Sequence, residues 1–331
     1  MPEMLSRRRF IRISAAAAGL SLVPFRRGAK ADTNLVTWRG TMLGAIATLK
    51  IHHEHPREAE RLIAVACSEA RRLERLFSLY RDDSALVELN RTGVLVDPPA
   101  ELVDLLEISL RYAELTNGAF DPTVQPLWRL YADHFSRVHA DRNGPAPADV
   151  QLALANVGYR RLHVSRDRIA MPRGAAITLN GIAQGYVTDR IVDLLRAQGI
   201  ARSLVDMGES RAIGPRPDGQ PWEIGIADSD SVGVTATVIP IVDRAVSTSG
   251  SYGFCFDADG RFNHLFDPSS GGCAGRYRSV TTIAADATAA DAMSTAFSLM
   301  TEPRIRSLLM PARIERVHLI DARGYASDLV A

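Results

Sequence analysis

Asp291 and Thr295 stand one helical turn apart in the run Ala290-Asp291-Ala292-Met293-Ser294-Thr295, so on a helix a carboxylate and a hydroxyl share one face. Two such oxygens suit a hard cation such as Mg²⁺, which completes its shell with water and substrate phosphate. The same two residues also fit a purely structural arrangement, with Asp favoured near a helix N-terminus and Thr bonding back to the helix. Ala245-Val246-Ser247-Thr248-Ser249-Gly250-Ser251-Tyr252 places four hydroxyls around a glycine after an apolar strand, a composition suited to cradling phosphate with N–H and O–H donors. No G-x-S-x-G nucleophile elbow is present. In Asn263-His264-Leu265-Phe266-Asp267-Pro268, His264 is placed to sit at a strand end, and an imidazole near neutral pKa is the natural base for a hydroxyl proton.

Two further stretches offer backbone to a ligand. Gly118-Ala119-Phe120-Asp121-Pro122 follows a helix end, and Thr178-Leu179-Asn180-Gly181-Ile182-Ala183-Gln184-Gly185 lies at a strand-to-helix join. His52-His53-Glu54-His55 is not H-E-x-x-H, and on a strand only His53 and His55 share a face, so it reads as a solvated end. Cys67, Cys255 and Cys273 form no zinc pattern. Cys255 and Cys273 are read as unpaired thiols, although an oxidising compartment would permit their bridging.

The elements that must position these residues are an irregular mixture. Residues 40–51 read as one strand and 57–80 as an amphipathic helix, with Leu62, Ile63, Ala66, Ala70, Leu73 and Phe77 at helical spacing. A helix over 100–116 stops at Asn117-Gly118, 142–147 is a breaker-rich loop, and 161–171 is a hairpin turning at Arg166-Asp167. Then come a helix over 186–198, strands near 203–207, 222–227, 234–242 and 253–257, and a strand from Ser279 to Ala284. Helices over 288–300 and 303–310 and a strand over 316–320 complete the chain. This order predicts an α+β fold, with antiparallel strands and packed helices. No G-x-G-x-x-G follows a strand, so a Rossmann site is not expected.

With 331 residues, 46% hydrophobic, 23% charged and a net charge of +1, the chain has the composition of a globular protein. It has no overall charge bias toward nucleic acid. Ser6-Arg7-Arg8-Arg9-Phe10-Ile11-Arg12, a mild apolar stretch from Ile13 to Pro24 and the small-x-small step Ala29-Lys30-Ala31 match a twin-arginine export signal. The expected division is a signal peptide over 1–31 and one domain over 32–331, delivered to the periplasm.

Taken in order, Met42, Leu79-Tyr80-Arg81-Asp82-Asp83-Ser84, Phe120-Asp121-Pro122-Thr123-Val124-x-Pro126-Leu127, Gly181-Ile182-Ala183-x-Gly185-Tyr186, Val246-Ser247-Thr248-Ser249-Gly250, His264-x-x-Asp267-Pro268 and Ser279-Val280-Thr281 through Asp291 resemble the FAD:protein FMN transferases, the ApbE family. The resemblance spans the chain after the signal. It implies that Met42, Tyr80, Ala119, Phe120, Asp121, Thr178, Gln184 and Phe266 line an FAD site, with Ser247, Thr248, Ser249 and Gly250 at the phosphates. It further implies that the Gly181 carbonyl, Asp291 and Thr295 hold Mg²⁺, and that His264 is the base. The implied reaction moves FMN from FAD to a Thr or Ser hydroxyl of a periplasmic or membrane flavoprotein, an electron-transport subunit being the expected acceptor, and releases AMP. An Mg²⁺-dependent FAD pyrophosphatase and a non-catalytic flavin-binding assembly protein are the alternatives. The chain departs from the family pattern at Thr178, at Gln184 and at Gly208-Glu209, changes expected to remove charge beside the flavin and phosphates.

Overall fold

A computed structural model of the chain describes residues 20–21, 34–227 and 235–331. Apart from Leu20 and Ser21, the expected signal peptide lies outside these residues. The centre is an eight-stranded antiparallel sheet. Its first two strands, β1 (Leu35–Met42) and β2 (Ala45–His52), form a hairpin in full register from Leu35 opposite His52 to Met42 opposite Ala45. The sequence reads 40–51 as one strand. Instead the chain turns at Leu43 and Gly44, whose φ values of 51° and 74° are the pair that a two-residue hairpin turn of the twist-matched kind requires.

The helix α1 (Pro56–Phe77) starts with proline in its first turn, where the missing N–H costs nothing, and buries the apolar stripe read from the sequence. Three helices were not legible: α2 (Ala85–Thr92), α4 (Gln125–Phe135) and α5 (Pro147–Leu154), the last two following α3 (Ala100–Leu115). Both α4 and α5 begin on a proline-bearing first turn, so the same residue that reads as a breaker is the helix start. Three short strands, β3 (Val94–Val96), β4 (His163–Val164) and β5 (Arg168–Ala170), make a small separate sheet that includes the expected hairpin.

Beyond α6 (Ala183–Ala197) the chain returns to the main sheet. It adds β6 (Ser203–Asp206) and β7 (Ser210–Ile213), leaves as the hairpin β8 (Trp222–Ala227) and β9 (Thr235–Ile241), and re-enters as β10 (Ala245–Gly250). Then follow β11 (Tyr277–Ala284), α7 (Ala287–Phe297), α8 (Glu302–Leu308), β12 (Ile314–Asp321) and β13 (Ala326–Val330). The strand order in the sheet is β13-β12-β11-β10-β7-β6-β2-β1, each pair antiparallel. The strand expected over 253–257 is only an isolated bridge between Cys255 and Asn263.

Two apolar layers follow from strand alternation. On one face Leu49, Ile51, Ala245 and Val280 pack with Leu62 and Leu73 of α1, Ile191 of α6 and Met293 and Phe297 of α7. On the other, Leu204, Val246 and Ile283 pack against Trp222, Ile224, Ile239 and Ile241 of the β8–β9 hairpin. The long connection from β10 to β11 forms a third centre with α4, in which Tyr131 lies 5.0 Å from the Phe266 ring and 5.9 Å from Phe256.

Candidate active site

The site grows from the close packing of α6 on α7. A Cβ added at Gly185 would stand 2.3 Å from the Ala287 carbonyl oxygen and 2.8 Å from the Asp291 Cβ, and one at Gly181 would stand 3.0 Å from Thr295 Oγ1. Only glycine lets the start of α6 come this near. The Gly185 N–H donates to Asp291 Oδ2 at 2.9 Å. This separates the two readings of Asp291. The N-terminal donors of α7 are already taken, Ala289 N–H by Asp286 Oδ1 at 2.7 Å, and Ala287 and Thr288 N–H by the carboxylate of Asp189, each at 2.8 Å. Asp291 is therefore not needed as a cap. Thr295 likewise turns its hydroxyl to Ser249 Oγ, 3.3 Å away.

The segment expected as a phosphate-cradling loop is the strand β10, paired with β11 from Ala245 opposite Ala284 to Gly250 opposite Ser279. That pairing consumes the N–H groups that point at β11, so no loop of converging backbone donors forms there; the Thr248 N–H, on the other edge, stands by Glu209, and the side-chain hydroxyls supply the other donors. Alternation divides them. Ser247 and Ser249 face α7, their Oγ atoms 3.2 and 2.7 Å from Ser294 Oγ, whereas Thr248 faces away and pairs with Thr281 at 2.8 Å across the strands. Ser294, which joins both serines, was not singled out in the sequence, although it lies within the Asp291–Thr295 turn. Gly250 closes the strand against the Tyr252 ring, which a Cβ there would meet at 2.5 Å and have to displace.

Carboxylates accumulate where the elements meet. Burial, with Asp189 nearby, pushes Asp291 up to about 7 despite the Gly185 N–H. Glu209, in the β6–β7 turn, is held well above the usual carboxylate range by burial and by Asp291 beside it. Asp206 is pushed by burial up to about 6 and fixes that turn by accepting Gly208 N–H and Ser210 Oγ–H, both at 3.0 Å. Gln184 packs on the same turn, because a Cβ at Gly208 would strike its amide at 2.5 Å. The expected loss of charge at Gly208-Glu209 is thus not what is found, for Glu209 adds a carboxylate next to Asp291. No group of three His, Cys, Asp or Glu side chains able to hold a metal occurs among the described residues. Asp291 and Thr295, with an unpartnered buried Glu209 Oε2 nearby, are oxygen donors of the type that fits a hard divalent cation.

The remaining predicted residues are dispersed. Met42 is buried at the end of β1, and Tyr80 is 43% exposed with its hydroxyl accepting Asn180 Nδ2–H at 3.0 Å. Thr178 Oγ1 accepts the Asn180 N–H at 3.2 Å, so Tyr80 and Thr178 converge through Asn180. Phe120 is buried and Ala119 half-buried. Asp121 spends its carboxylate on the chain: Oδ1 accepts the N–H and hydroxyl of Thr123 at 2.8 and 2.6 Å, and Oδ2 accepts Tyr159 N–H at 3.0 Å. It shapes the loop from within. Phe266 is buried in the aromatic centre. His264 is half-buried, and its Nδ1 lies 3.2 Å from the Phe254 carbonyl. A carbonyl only accepts, so Nδ1 carries the proton and Nε2 holds the free lone pair; burial lowers the imidazole pKa and keeps it neutral. Cys67, Cys255 and Cys273 are free thiols.

The antiparallel sheet and its packed helices are those of a flavin transferase. The chain belongs to the ApbE family, whose model matches residues 43–317. It is 32% identical over 238 residues to an FAD:protein FMN transferase of Salmonella typhimurium, covering 68% of this chain and 67% of the relative. To the enzyme of the same name from Treponema pallidum it is 30% identical over 280 residues, 77% and 76% of the two chains. Among solved structures, the ApbE protein of Thermotoga maritima superposes with a TM-score of 0.78 at 29% identity, over 88% of this chain and 96% of that one. The flavin transferase ApbE of Vibrio cholerae gives 0.76 at 25% identity, over 90% and 97%.

Proposed function

We propose that the chain transfers FMN from FAD to a Thr or Ser hydroxyl of an acceptor protein in an Mg²⁺-dependent reaction that releases AMP. The observation that carries the reading is the convergence of Asp291, Thr295 and Gly181, enforced by the contact of α6 with α7 beneath the Ser247–Ser249 strand. Asp291, Thr295 and the Gly181 carbonyl would hold the cation, which when bound neutralises charge developing on the phosphate oxygens. His264 Nε2 takes the proton of the acceptor hydroxyl. That oxygen then bonds to the FMN phosphorus, the bond from this phosphorus to the bridging oxygen breaks, and AMP leaves with that oxygen. Ser249 stands beside Thr295 to hold substrate oxygens, and the Tyr80–Asn180–Thr178 group borders the flavin side.

The basic Ser6–Arg12 run supports export by the twin-arginine route and work in the periplasm, with an electron-transport flavoprotein as acceptor. The test is incubation of the purified chain with FAD and a candidate acceptor domain, with Mg²⁺ or with EDTA, followed by intact mass of the acceptor. A gain of one FMN less water that requires Mg²⁺ is expected. Free FMN and AMP with every acceptor left unmodified would replace this reading with FAD hydrolysis, and FAD left intact would replace it with flavin carriage.

A further inference from the structure

Glu209 is 3% exposed, and its Oε2 has no hydrogen-bond partner. The turn that carries it does not need its side chain. The Glu209 carbonyl accepts the Thr188 hydroxyl at 2.9 Å and the Met207 N–H at 3.3 Å, while Asp206 closes the turn from the other side. Its carboxyl group instead lies near enough to Asp291 and Asp206 to be repelled by both, with the Ser247 hydroxyl and the Thr248 N–H as stabilising neighbours. The strongest influences on either carboxylate are burial, hydrogen-bond donors and other carboxylates, and none is a side-chain cation. Two neighbouring buried carboxyl groups, one with an oxygen left bare, are costly without a compensating positive charge.

We propose that Glu209 is a further acidic group of the divalent-cation site, supplying with Asp291 the second negative charge that the ion sees. This rests on the Mg²⁺ reading of Asp291 given above. Two carboxyl groups match the charge of one divalent ion, and Oε2 keeps a lone pair for the ion or for a water bound to it. Its entry from the β6–β7 turn also ties cation binding to the sheet, whereas Asp291 and Thr295 tie it to α7.

Mn²⁺ alone, without FAD, serves as the probe. Its affinity is read by electron paramagnetic resonance of the free ion, and thermal denaturation is followed with Mn²⁺ and with EDTA. For Glu209→Gln the expected results are Mn²⁺ affinity weakened about ten- to a hundredfold, a melting temperature in EDTA equal to or above that of the unsubstituted chain, and a smaller rise on adding Mn²⁺. Glu209→Asp, which keeps the charge, should recover part of the affinity. Asp291→Asn is the control. If the unsubstituted chain and Glu209→Gln bind Mn²⁺ alike while Asp291→Asn does not, the role of Glu209 is overturned and the Asp291 site stands. If the unsubstituted chain binds no Mn²⁺, both fall. A lower melting temperature in EDTA for Glu209→Gln, with unchanged Mn²⁺ affinity, would make Glu209 a structural residue.

Discussion

Asp291 is the residue on which most of the chemistry converges, and the hydrogen bond its carboxylate accepts separates its two roles. Gly185 N–H donates to Oδ2, and an asparagine can still accept that bond through its amide oxygen. Asp291→Asn should therefore leave the packing of α6 on α7 intact while removing the charge. We expect transfer to fall on the order of a hundredfold or more, read as FMN-modified acceptor per unit time, with a far-UV spectrum unchanged. Full activity in that variant would remove Asp291 from the mechanism. His264 gives a different signature. Its Nδ1 is committed to the Phe254 carbonyl and its pKa is lowered by burial, so Nε2 keeps its lone pair free to accept a proton at pH values below the ordinary histidine range. The acid limb of the rate profile should accordingly lie below the ordinary histidine range. His264→Ala should slow transfer roughly 10²- to 10⁴-fold, abolish that limb and leave FAD affinity within a few-fold, measured by flavin fluorescence titration. An acid limb that persists in the alanine variant would assign it to another group.

At the scale of elements, the site depends on how nearly two helices approach. Gly185 sits where any side chain would overlap the Ala287 carbonyl and the Asp291 Cβ. Gly185→Ala should force α6 and α7 apart and cost about 1–3 kcal/mol of stability, measured by urea denaturation, with cation affinity falling in parallel because Thr295 moves away from Gly181. Unchanged stability would mean that the helices slide apart freely and that their contact does not set the site. The sequence carried the periodic parts of this arrangement plainly. The stripe of α1 and the Asp291–Thr295 spacing are local patterns, and the helices that bear them are where the patterns place them, whereas His264, expected at a strand end, lies in the irregular β10–β11 connection between two isolated bridges. What could not be read locally was set by pairing. Whether Ser247–Gly250 is a loop or a strand depends on β11, thirty residues on, and polar residues give no alternation of hydrophobicity to reveal it. Pro126 and Pro147 concealed two helix starts for the same kind of reason, since only context separates a breaker from a first turn. Glu209 was visible only as a departure from a pattern, because the neighbour that gives it meaning lies 82 positions away in sequence, as the numbers 209 and 291 state.

For the whole molecule, burying acids at the junction of sheet and helices makes metal-free stability depend on pH in a direction opposite to ordinary acid unfolding. Asp206 and Asp291 are pushed from 3.8 up to about 6 and about 7, and Glu209 is raised as well. Over the window from 3.8 to about 7 the folded chain holds protons that the unfolded chain has released, so the folded state gains stability as pH falls through the window and loses it as pH rises. His264 works the other way. Its folded pKa lies below 6.5, so the unfolded chain takes up a proton first as pH drops past that value, and this opposes the gain at the acid side. These three raised carboxyl groups, joined by the raised Glu74, Asp121 and Asp286, outweigh one lowered imidazole and leave the acids dominant between pH 8 and 6.5. The depressed carboxylates, among them Asp267 and Asp328, act only nearer their ordinary range and do not enter that interval. In EDTA the melting temperature should therefore rise as pH is lowered from 8 to 6.5. Saturating Mg²⁺ should flatten the slope, because an ion that holds the site carboxylates ionised in the folded state abolishes their excess of bound protons. A melting temperature in EDTA that climbs with pH over this interval would mean that these carboxylates are charged in the folded chain without a metal, and the packing of α6, α7 and the β6–β7 turn would then need another source of positive charge.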